Sequence, residues 1–254
     1  MSLRSLVRAA QKRVPDARRG TLVLAYHLVG SGIDSAIDIS VDRFRTQLDL
    51  LERRFRIMRL EQALEASTSL GTKPAAALTF DDAYANFAEV VWPLLRERKL
   101  PATLYVPVGF VRGDIPPPIR GTQLAACSWA ELKELCQGGL DIGSHGVDHL
   151  NLRRASDSQL ERELAESRSV LERELGVSVR SFCYPQAKYD ARAVAAVAKH
   201  YDSGVVAGGR RYVGGDLHRV PRFPVRRDEP DFEGLISTRL WLREAAASAV
   251  RQWR

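Results

Sequence analysis

The chain reads AAALTFDD from Ala75 to Asp82 and DIGSHGVDH from Asp141 to His149. In both stretches a short apolar run, which is typical of a buried strand, ends in residues with carboxylate or imidazole side chains. In a parallel α/β barrel the carboxyl ends of all strands lie on one face, and that face carries the active site. The two stretches therefore predict a barrel and also the end of the barrel at which its functional side chains lie.

Predicted strands and helices alternate along the rest of the chain. Further strands are expected at residues 21–26, 102–106, 179–183 and 203–207, and helices at residues 41–55, 84–98, 128–136, 156–175 and 190–201. This alternation is typical of a parallel sheet covered by helices. The chain has 254 residues, 45% of them hydrophobic, and no linker-like stretch. We predict one barrel domain at residues 20–228, preceded by a basic amphipathic helix at 1–19 and completed by a helix at 229–254.

The net charge of +7 lies at the two ends of the chain. Residues 1–20 carry six Lys or Arg against one Asp, and residues 239–254 carry four Arg against one Glu, which leaves the body of the chain at −1. A nearly neutral body argues against a nucleic-acid-binding enzyme, which needs a basic surface. The basic ends favour helices packed on the barrel with their charges in water, and the alternative is peripheral contact with an anionic membrane.

The sequence also bears on the compartment. No apolar run is long enough for a transmembrane helix or for the core of a signal peptide, so we expect a cytoplasmic protein, with the inner face of the membrane as the place of any lipid contact. The three cysteines, Cys127, Cys136 and Cys183, have no metal-binding or redox spacing. They are expected to be reduced thiols.

Asp81, Asp82, His145 and His149 form a chemically coherent set. Two imidazoles and one carboxylate, with open positions for water, are a common ligand set of catalytic Zn²⁺ and also suit other divalent cations. The second carboxylate is left free for proton transfer. The four-residue spacing of the histidines would place both rings on one side of a helical turn. Either pair alone is more often a turn, a helix cap or two exposed side chains, so the prediction depends on both occurring together.

Four motifs in this order resemble the polysaccharide deacetylase family, also called the NodB homology domain or carbohydrate esterase family 4. They are TFDD at residues 79–82, SHxxxHxxL at 144–152, FCYPxxxYD at 182–190 and RVPR at 219–222. The resemblance extends over residues 20–226. It implies a distorted (β/α)7-type barrel and the metal-dependent removal of acetyl groups from N-acetylated amino sugars.

The resemblance also implies roles for single residues. Asp82, His145 and His149 would bind a divalent cation, most simply Zn²⁺, with Co²⁺ or Ni²⁺ as alternatives, and Asp81 would be the general base. The backbone N–H of Tyr184 would help to stabilise the oxyanion. The implied substrate is an N-acetylated glycan or glycolipid. Two other functions stay open, a hydrolase of the same fold that acts on a non-sugar amide and an inactive glycan-binding module.

The departing amine needs a proton, and two histidines are candidates for the general acid. His27 ends the first predicted strand, and the pair Tyr26-His27 resembles a branch of the family in which the acid histidine precedes the Asp-Asp motif. His218 lies close to the position that supplies the acid in the more common branch. We favour His27, because a strand end places it on the catalytic face and because the Arg-Val-Pro-Arg motif belongs to the same branch. His218 is then expected to contact substrate.

One position departs from the family's pattern. Many members carry an arginine two residues before the motif proline, where it pairs with the base, and this chain has Cys183 there. Because a thiol cannot supply that charge, we predict that Arg222 replaces the arginine, with Arg219 as the second candidate. Aromatic residues near the motifs are expected to contact the sugar: Tyr26, Tyr84 and Tyr189.

Overall fold

The computed structural model describes residues 20–69, 73–228 and 231–236. Its strands are β1 Leu22–Tyr26, β2 Leu28–Val29, β3 Asp38–Ile39, β4 Arg56–Ile57, β5 Ala75–Phe80, β6 Thr103–Val106, β7 Asp141–Ser144, β8 Ser181–Cys183, β9 Ser203–Ala207 and β10 Val220–Pro224. Its α-helices are α1 Val41–Arg54, α2 Leu60–Glu65, α3 Trp92–Glu97, α4 Val108–Arg112, α5 Trp129–Gln137, α6 Asp157–Leu175, α7 Ala191–His200 and α8 Phe232–Ile236. Turns of 3₁₀ helix lie at Ala66–Thr68, Pro185–Ala187 and Leu217–Arg219, and a π-helical turn at Phe87–Val91 precedes α3.

Seven parallel strands close into a barrel. Their order around it is β1, β10, β9, β8, β7, β6 and β5, and β5 pairs again with β1. The closing pair is in register along its whole length, from Leu22 opposite Ala76 to Tyr26 opposite Phe80. The short strand β4 pairs with the beginning of β5, and β2 and β3 form a separate two-stranded sheet. The predicted distorted (β/α)7-type barrel is confirmed.

Both faces of the barrel strands are buried, which explains their nearly continuous apolar sequences. Every residue of β1 and β5 is buried. Leu78 of β5 belongs to the core between strands and helices, whereas its neighbour Ala77 belongs to a second cluster inside the barrel. Tyr105 lies in that inner cluster, and Gly143 leaves room for it, since a Cβ at Gly143 would lie 2.3 Å from the Tyr105 ring.

The helices begin where the sequence places polar caps. Ser40 accepts a hydrogen bond from the N–H of Arg43 at the start of α1, and capping boxes begin α5 at Ser128 and α6 at Ser156. The helix predicted at residues 84–98 is less regular than expected. Pro93 lacks an N–H group and crowds the preceding turn, and the π-helical turn stands just before it.

The seventh barrel strand is the main difference between the predicted and the observed elements. No strand is among the elements predicted at residues 220–224, and Pro221 and Pro224 cannot donate to a ladder. The structure nevertheless places β10 between β1 and β9, with Leu24 opposite Phe223. This strand carries Arg222, which pairs with Asp81.

Little of what was predicted for the two ends of the chain can be compared with the structure. The predicted basic helix at residues 1–19 lies outside the described residues, and of the predicted helix at 229–254 only residues 231–236 are described, which include α8. The division of the chain into these parts stays a prediction. Along the described ranges, no helix combines the length and the apolar character that crossing a membrane requires.

Candidate active site

The polar residues of the first two motifs meet at the carboxyl end of the barrel. Asp81 and Asp82 follow β5, and His145 follows β7. The N–H of Asp81 donates to the carbonyl of Tyr26 (2.9 Å) and so continues the β1–β5 pairing by one residue. Asp82 then adopts a left-handed backbone (φ 75°), which costs a non-glycine residue about 1–3 kcal/mol and is typical of functional sites.

Three side chains converge in a geometry that fits a divalent cation. The Nε2 atoms of His145 and His149 each lie 3.6 Å from Oδ1 of Asp82. Ligand atoms at about 2.0–2.2 Å from a tetrahedral Zn²⁺ are separated by about 3.3–3.6 Å. Oδ1 of Asp82 is buried, and among the described residues it has no hydrogen-bond partner. Such an orphaned acceptor between two ring nitrogens is what a cation would satisfy.

The protonation states of the two histidines favour metal binding as well. Burial lowers the pKa of His145 to about 3 and that of His149 to about 4, so both imidazoles are neutral at physiological pH. Burial and the charge of Asp81 raise the pKa of Asp82 well above its ordinary value, which a bound cation would reverse. Nδ1 of His145 lies 2.7 Å from the carbonyl of Cys183, and donating to it leaves the Nε2 lone pair for a ligand.

The segment between the two histidines is a loop, and the expected helical turn is wrong. Gly146 and His149 both have a left-handed backbone, with φ of 82° and 52°. The carbonyl of Gly146 accepts from the N–H of Val108 (3.0 Å), and the carbonyl of Val147 accepts from the N–H of Gly109 (2.8 Å). These bonds to the start of α4 replace helical ones. The two rings still come together, with centroids 4.7 Å apart.

Arg222 reaches across the barrel to Asp81. Its Nη1 and Nη2 atoms donate to the two oxygens of the Asp81 carboxylate at 2.7 and 2.8 Å, and both residues are buried. Burial alone would raise the pKa of Asp81, but the charge and the hydrogen bonds of Arg222 outweigh it and hold this pKa well below its ordinary value. Arg222 thus forms the two-pronged pair with Asp81 that was predicted in place of the missing family arginine. Its catalytic role stays a prediction.

Cys183 lies beside this ion pair rather than in a metal site of its own. Its Sγ lies 3.7 Å from Oδ2 of Asp81 and 4.0 Å from Nε2 of His145, a grouping that could in principle hold a cation. Nη2 of Arg222 is only 2.9 Å from the sulfur. Because the guanidinium already places a positive charge there, and burial raises the pKa of the thiol, the group of Asp82, His145 and His149 is the better candidate for a cation site.

The two candidate acids lie in different places. Nε2 of His27 is 3.8 Å from Oδ2 of Asp81, at the carboxyl end of β1. His218 precedes β10, so it lies toward the amino ends of the parallel strands, and its Nε2 contacts the carbonyl of Tyr201 (3.0 Å). The geometry therefore brings His27, and not His218, to the predicted base. A contact between His218 and a substrate bound at the carboxyl end does not fit this placement.

The remaining predicted contacts are mostly internal. The N–H of Tyr184 donates to the carbonyl of Val205 (3.3 Å) within the sheet, so the expectation that it faces an oxyanion does not fit. The Tyr184 hydroxyl donates to the carbonyl of His218 (2.9 Å). Tyr26 is buried, and its hydroxyl donates to Gln47 of α1 (3.1 Å), so it is a core residue and not a sugar contact.

Tyr84 and Tyr189 differ in their exposure. Tyr84 is buried, its hydroxyl accepts the N–H of Ile119 (2.8 Å), and its ring packs on Phe110, so the expected contact with a sugar does not fit. Tyr189 is half-buried and packs on the ring of Tyr184, with centroids 4.8 Å apart. Of the three tyrosines expected to contact the sugar, only Tyr189 keeps exposed surface.

Two residues near the site have no counterpart among the predictions. The hydroxyl of Thr79 accepts from Nη1 of Arg222 (3.0 Å) and donates to the carbonyl of Leu24 (2.7 Å). These two bonds help to fix the position of the guanidinium. Glu163 is fully buried on α6 and contacts the loop between the two histidines. A signal for Glu163 exists in the sequence, since it interrupts the apolar face of a long amphipathic helix.

Comparison with known proteins agrees with the motifs. The protein YxkH of Bacillus subtilis (strain 168) is 25% identical over 207 residues, an alignment that covers 78% of this chain and 70% of YxkH. The solved structure of the Streptococcus pyogenes deacetylase PplD in complex with acetate is similar with a TM-score of 0.73 at 22% identity, covering 82% of this chain and 93% of PplD. IcaB from Ammonifex degensii gives a TM-score of 0.71 at 23% identity, covering 88% and 97%. At these identities the structural matches show a shared fold.

The sequence model of the polysaccharide deacetylases matches residues 69–202, which is more than half of the chain. The match contains Asp81, Asp82, His145 and His149, whereas His27 and Arg222 lie outside it. The chain therefore belongs to the polysaccharide deacetylase family, a membership that supports deacetylase activity on a sugar.

Proposed function

We propose that this protein is a metal-dependent hydrolase that removes N-acetyl groups from an amino sugar in a glycan or glycolipid. The observation that carries the proposal is the convergence of His145 and His149 on the orphaned Oδ1 of Asp82, next to a carboxylate held by an arginine. The family membership supports the substrate class. The acetate bound to the similar protein PplD is the product expected of such a reaction.

Asp82, His145 and His149 would hold the cation, most simply Zn²⁺, with Co²⁺ or Ni²⁺ as alternatives. When bound, it supplies Lewis-acid polarisation of the acetyl carbonyl and lowers the pKa of the attacking water. Two neutral imidazoles and one carboxylate leave the cation a net positive charge and open positions. Both properties are needed because an amide is a weak electrophile.

Asp81 would accept the proton of the attacking water. Arg222 keeps this carboxylate ionised and orients it through two hydrogen bonds, which supports its use as a base throughout the neutral pH range. A carboxylate with so low a pKa is a weak base. It can therefore take a proton from a water whose pKa has been lowered more readily than from bulk water.

His27 would donate the proton that the departing amine needs. Its Nε2 lies 3.8 Å from Oδ2 of Asp81, so a reacting group beside the pair could lie within hydrogen-bond distance of both and exchange protons with each. Burial lowers the pKa of His27, and the charge of Asp81 opposes that shift. The acid step should therefore slow as the pH rises, while the charge of Asp81 helps to keep the imidazolium available.

The proposal is tested by acetate release from N-acetylated oligosaccharides, with purified protein before and after treatment with a chelator. We expect release that stops on chelation and returns with added Zn²⁺. Asp82→Asn should abolish both metal binding and release, whereas Asp49→Asn, which changes an exposed carboxylate on α1, should change neither. Release that survives chelation would contradict metal dependence. Release from simple amides but from no acetylated sugar would contradict the substrate class.

A further inference from the structure

α6 carries a fully buried carboxylate that the proposed reaction does not use. Glu163 has 0% of its surface exposed and accepts hydrogen bonds from two backbone N–H groups. Its Oε2 lies 2.9 Å from the nitrogen of Val147, and its Oε1 and Oε2 lie 3.0 and 3.1 Å from the nitrogen of Asp148. Both N–H groups belong to the loop that joins His145 to His149.

This loop cannot satisfy its own backbone. It has no helical or sheet hydrogen bonding, and its N–H groups at positions 147 and 148 point to the protein interior, where an unpaired donor is costly. The neighbouring residue Arg162 does not donate to Glu163. Its Nη1 donates to the side chain of Asp148 (2.6 Å) instead. The two N–H donors are thus the polar partners that the structure gives this carboxylate.

The packing around Glu163 leaves little room for another arrangement of the loop. A Cβ on Gly146 would lie 2.5 Å from Oε2 of Glu163, and Gly146 already has a left-handed backbone. The N–H of Gly146 donates to the hydroxyl of Ser144 (3.1 Å), which in turn donates to Ser167, one helical turn after Glu163 (2.8 Å). Helix α6 therefore holds two N–H groups of the loop directly and a third through the Ser144 hydroxyl.

We propose that Glu163 is a positioning residue for the metal ligands. It sets the path of the loop so that the Nε2 atoms of His145 and His149 already converge on Asp82 before the cation binds. The inference rests on the metal site proposed above. It explains how two histidines four residues apart can share one cation although no helical turn connects them.

Glu163→Gln tests this role, and Glu172→Gln is its matched control. Glu172 also lies on α6 and accepts a backbone N–H, that of Val179 (3.0 Å), but Val179 precedes β8 at the amino end of the barrel. Zn²⁺ affinity is measured for both variants and the wild type by competition with a chromogenic chelator, together with the absorption spectrum of the Co²⁺-loaded proteins. We expect Glu163→Gln to lose about 10–100-fold in affinity and to change the Co²⁺ spectrum. Glu172→Gln should keep wild-type values.

Three results would overturn the inference or its basis, and they can be told apart. Unchanged Zn²⁺ affinity in Glu163→Gln would overturn the positioning role while leaving the metal site intact. Equal losses in both variants would show a general loss of stability instead of positioning. A wild-type protein that binds no Zn²⁺ would overturn the metal site itself, and the inference with it.

A measurement on the wild type covers the case in which Glu163→Gln does not fold. Amide hydrogen exchange is followed in the metal-free protein at Val147 and Asp148, with Ile142 of β7 as an internal reference for a core amide. If Glu163 preorganises the loop, the amides of Val147 and Asp148 should be protected from exchange to about the same degree as the amide of Ile142. Rapid exchange of both amides without metal, and protection only after Zn²⁺ is added, would overturn the proposal.

Discussion

Replacing Arg222 with methionine should destabilise the metal-free protein by about 3–5 kcal/mol, because it leaves the buried Asp81 carboxylate without its counter-ion. The two side chains are 4% and 6% exposed, and they are joined by hydrogen bonds of 2.7 and 2.8 Å. Removing one partner of such a pair leaves a charge that water cannot reach. The free energy of unfolding would be measured by urea denaturation in the presence of a chelator.

Arg219→Met is the matched control for this change. Arg219 belongs to the same Arg-Val-Pro-Arg motif, but its pair with Asp216 (2.6 Å) is on the surface, with 56% of the arginine side chain exposed. An exposed pair of this kind contributes little to stability, because water and salt screen both charges. If Arg222→Met lost no more stability than Arg219→Met, the buried pair would not have the importance that its geometry indicates.

The pH dependence of stability gives a second test with a definite sign. In the wild type the pKa of Asp81 is held below its ordinary value of 3.8, so its contribution to stability is present above about pH 4 and is lost as the pH falls further. Without Arg222, burial would raise the pKa of Asp81 above that value, and stability would be lost as the pH rises through the new pKa. Relative to the wild type, Arg222→Met should therefore lose more stability at pH 8 than at pH 5. An equal loss at both pH values would refute this account.

Three further predictions concern the site and the ends of the chain. His149→Ala should lose metal and deacetylation together, whereas Asp81→Asn should keep the metal and lose about 10²–10⁴-fold in rate; stoichiometric metal in His149→Ala would contradict the ligand assignment. His27→Ala should lower kcat far more than His218→Ala, and the reverse ranking would identify His218 as the acid. If the basic ends contact an anionic membrane, each basic residue should contribute on the order of 1 kcal/mol to vesicle binding, salt should release the protein, and deletion of residues 1–18 should abolish binding without loss of stability.

The position of a side chain was predictable from the sequence where it follows from the end of a strand. Asp82 and His145 come directly after β5 and β7, and because all barrel strands are parallel, their carboxyl ends had to meet on one face. The same reasoning placed His27 on that face, at the end of β1. Helix starts such as Ser156 were predictable too, since a cap depends only on residues within one turn.

The surroundings of a side chain were not predictable where they come from distant parts of the chain. Tyr26 and Tyr84 lie next to the motifs and look available to a sugar, yet their hydroxyls bond to groups 21 and 35 residues away. The spacing of His145 and His149 suits a helical turn, but the loop between them bonds to α4 and α6 instead. Local spacing cannot reveal such competition for backbone hydrogen bonds.

The sequence by itself determined the parallel barrel, its functional face and the cluster of two carboxylates and two histidines, because each follows from short-range patterns repeated along the chain. The tertiary structure decided between the two predicted arginines, Arg222 and Arg219, as the partner of Asp81, and it alone brought Glu163 to the cluster. Arg222 meets Asp81 across 141 residues only because β10 closes the barrel beside β1 despite its prolines, and Glu163 meets the histidine loop only because α6 packs against it. Such pairs depend on how elements close around a common core, and no local period in the amino-acid sequence records that closure.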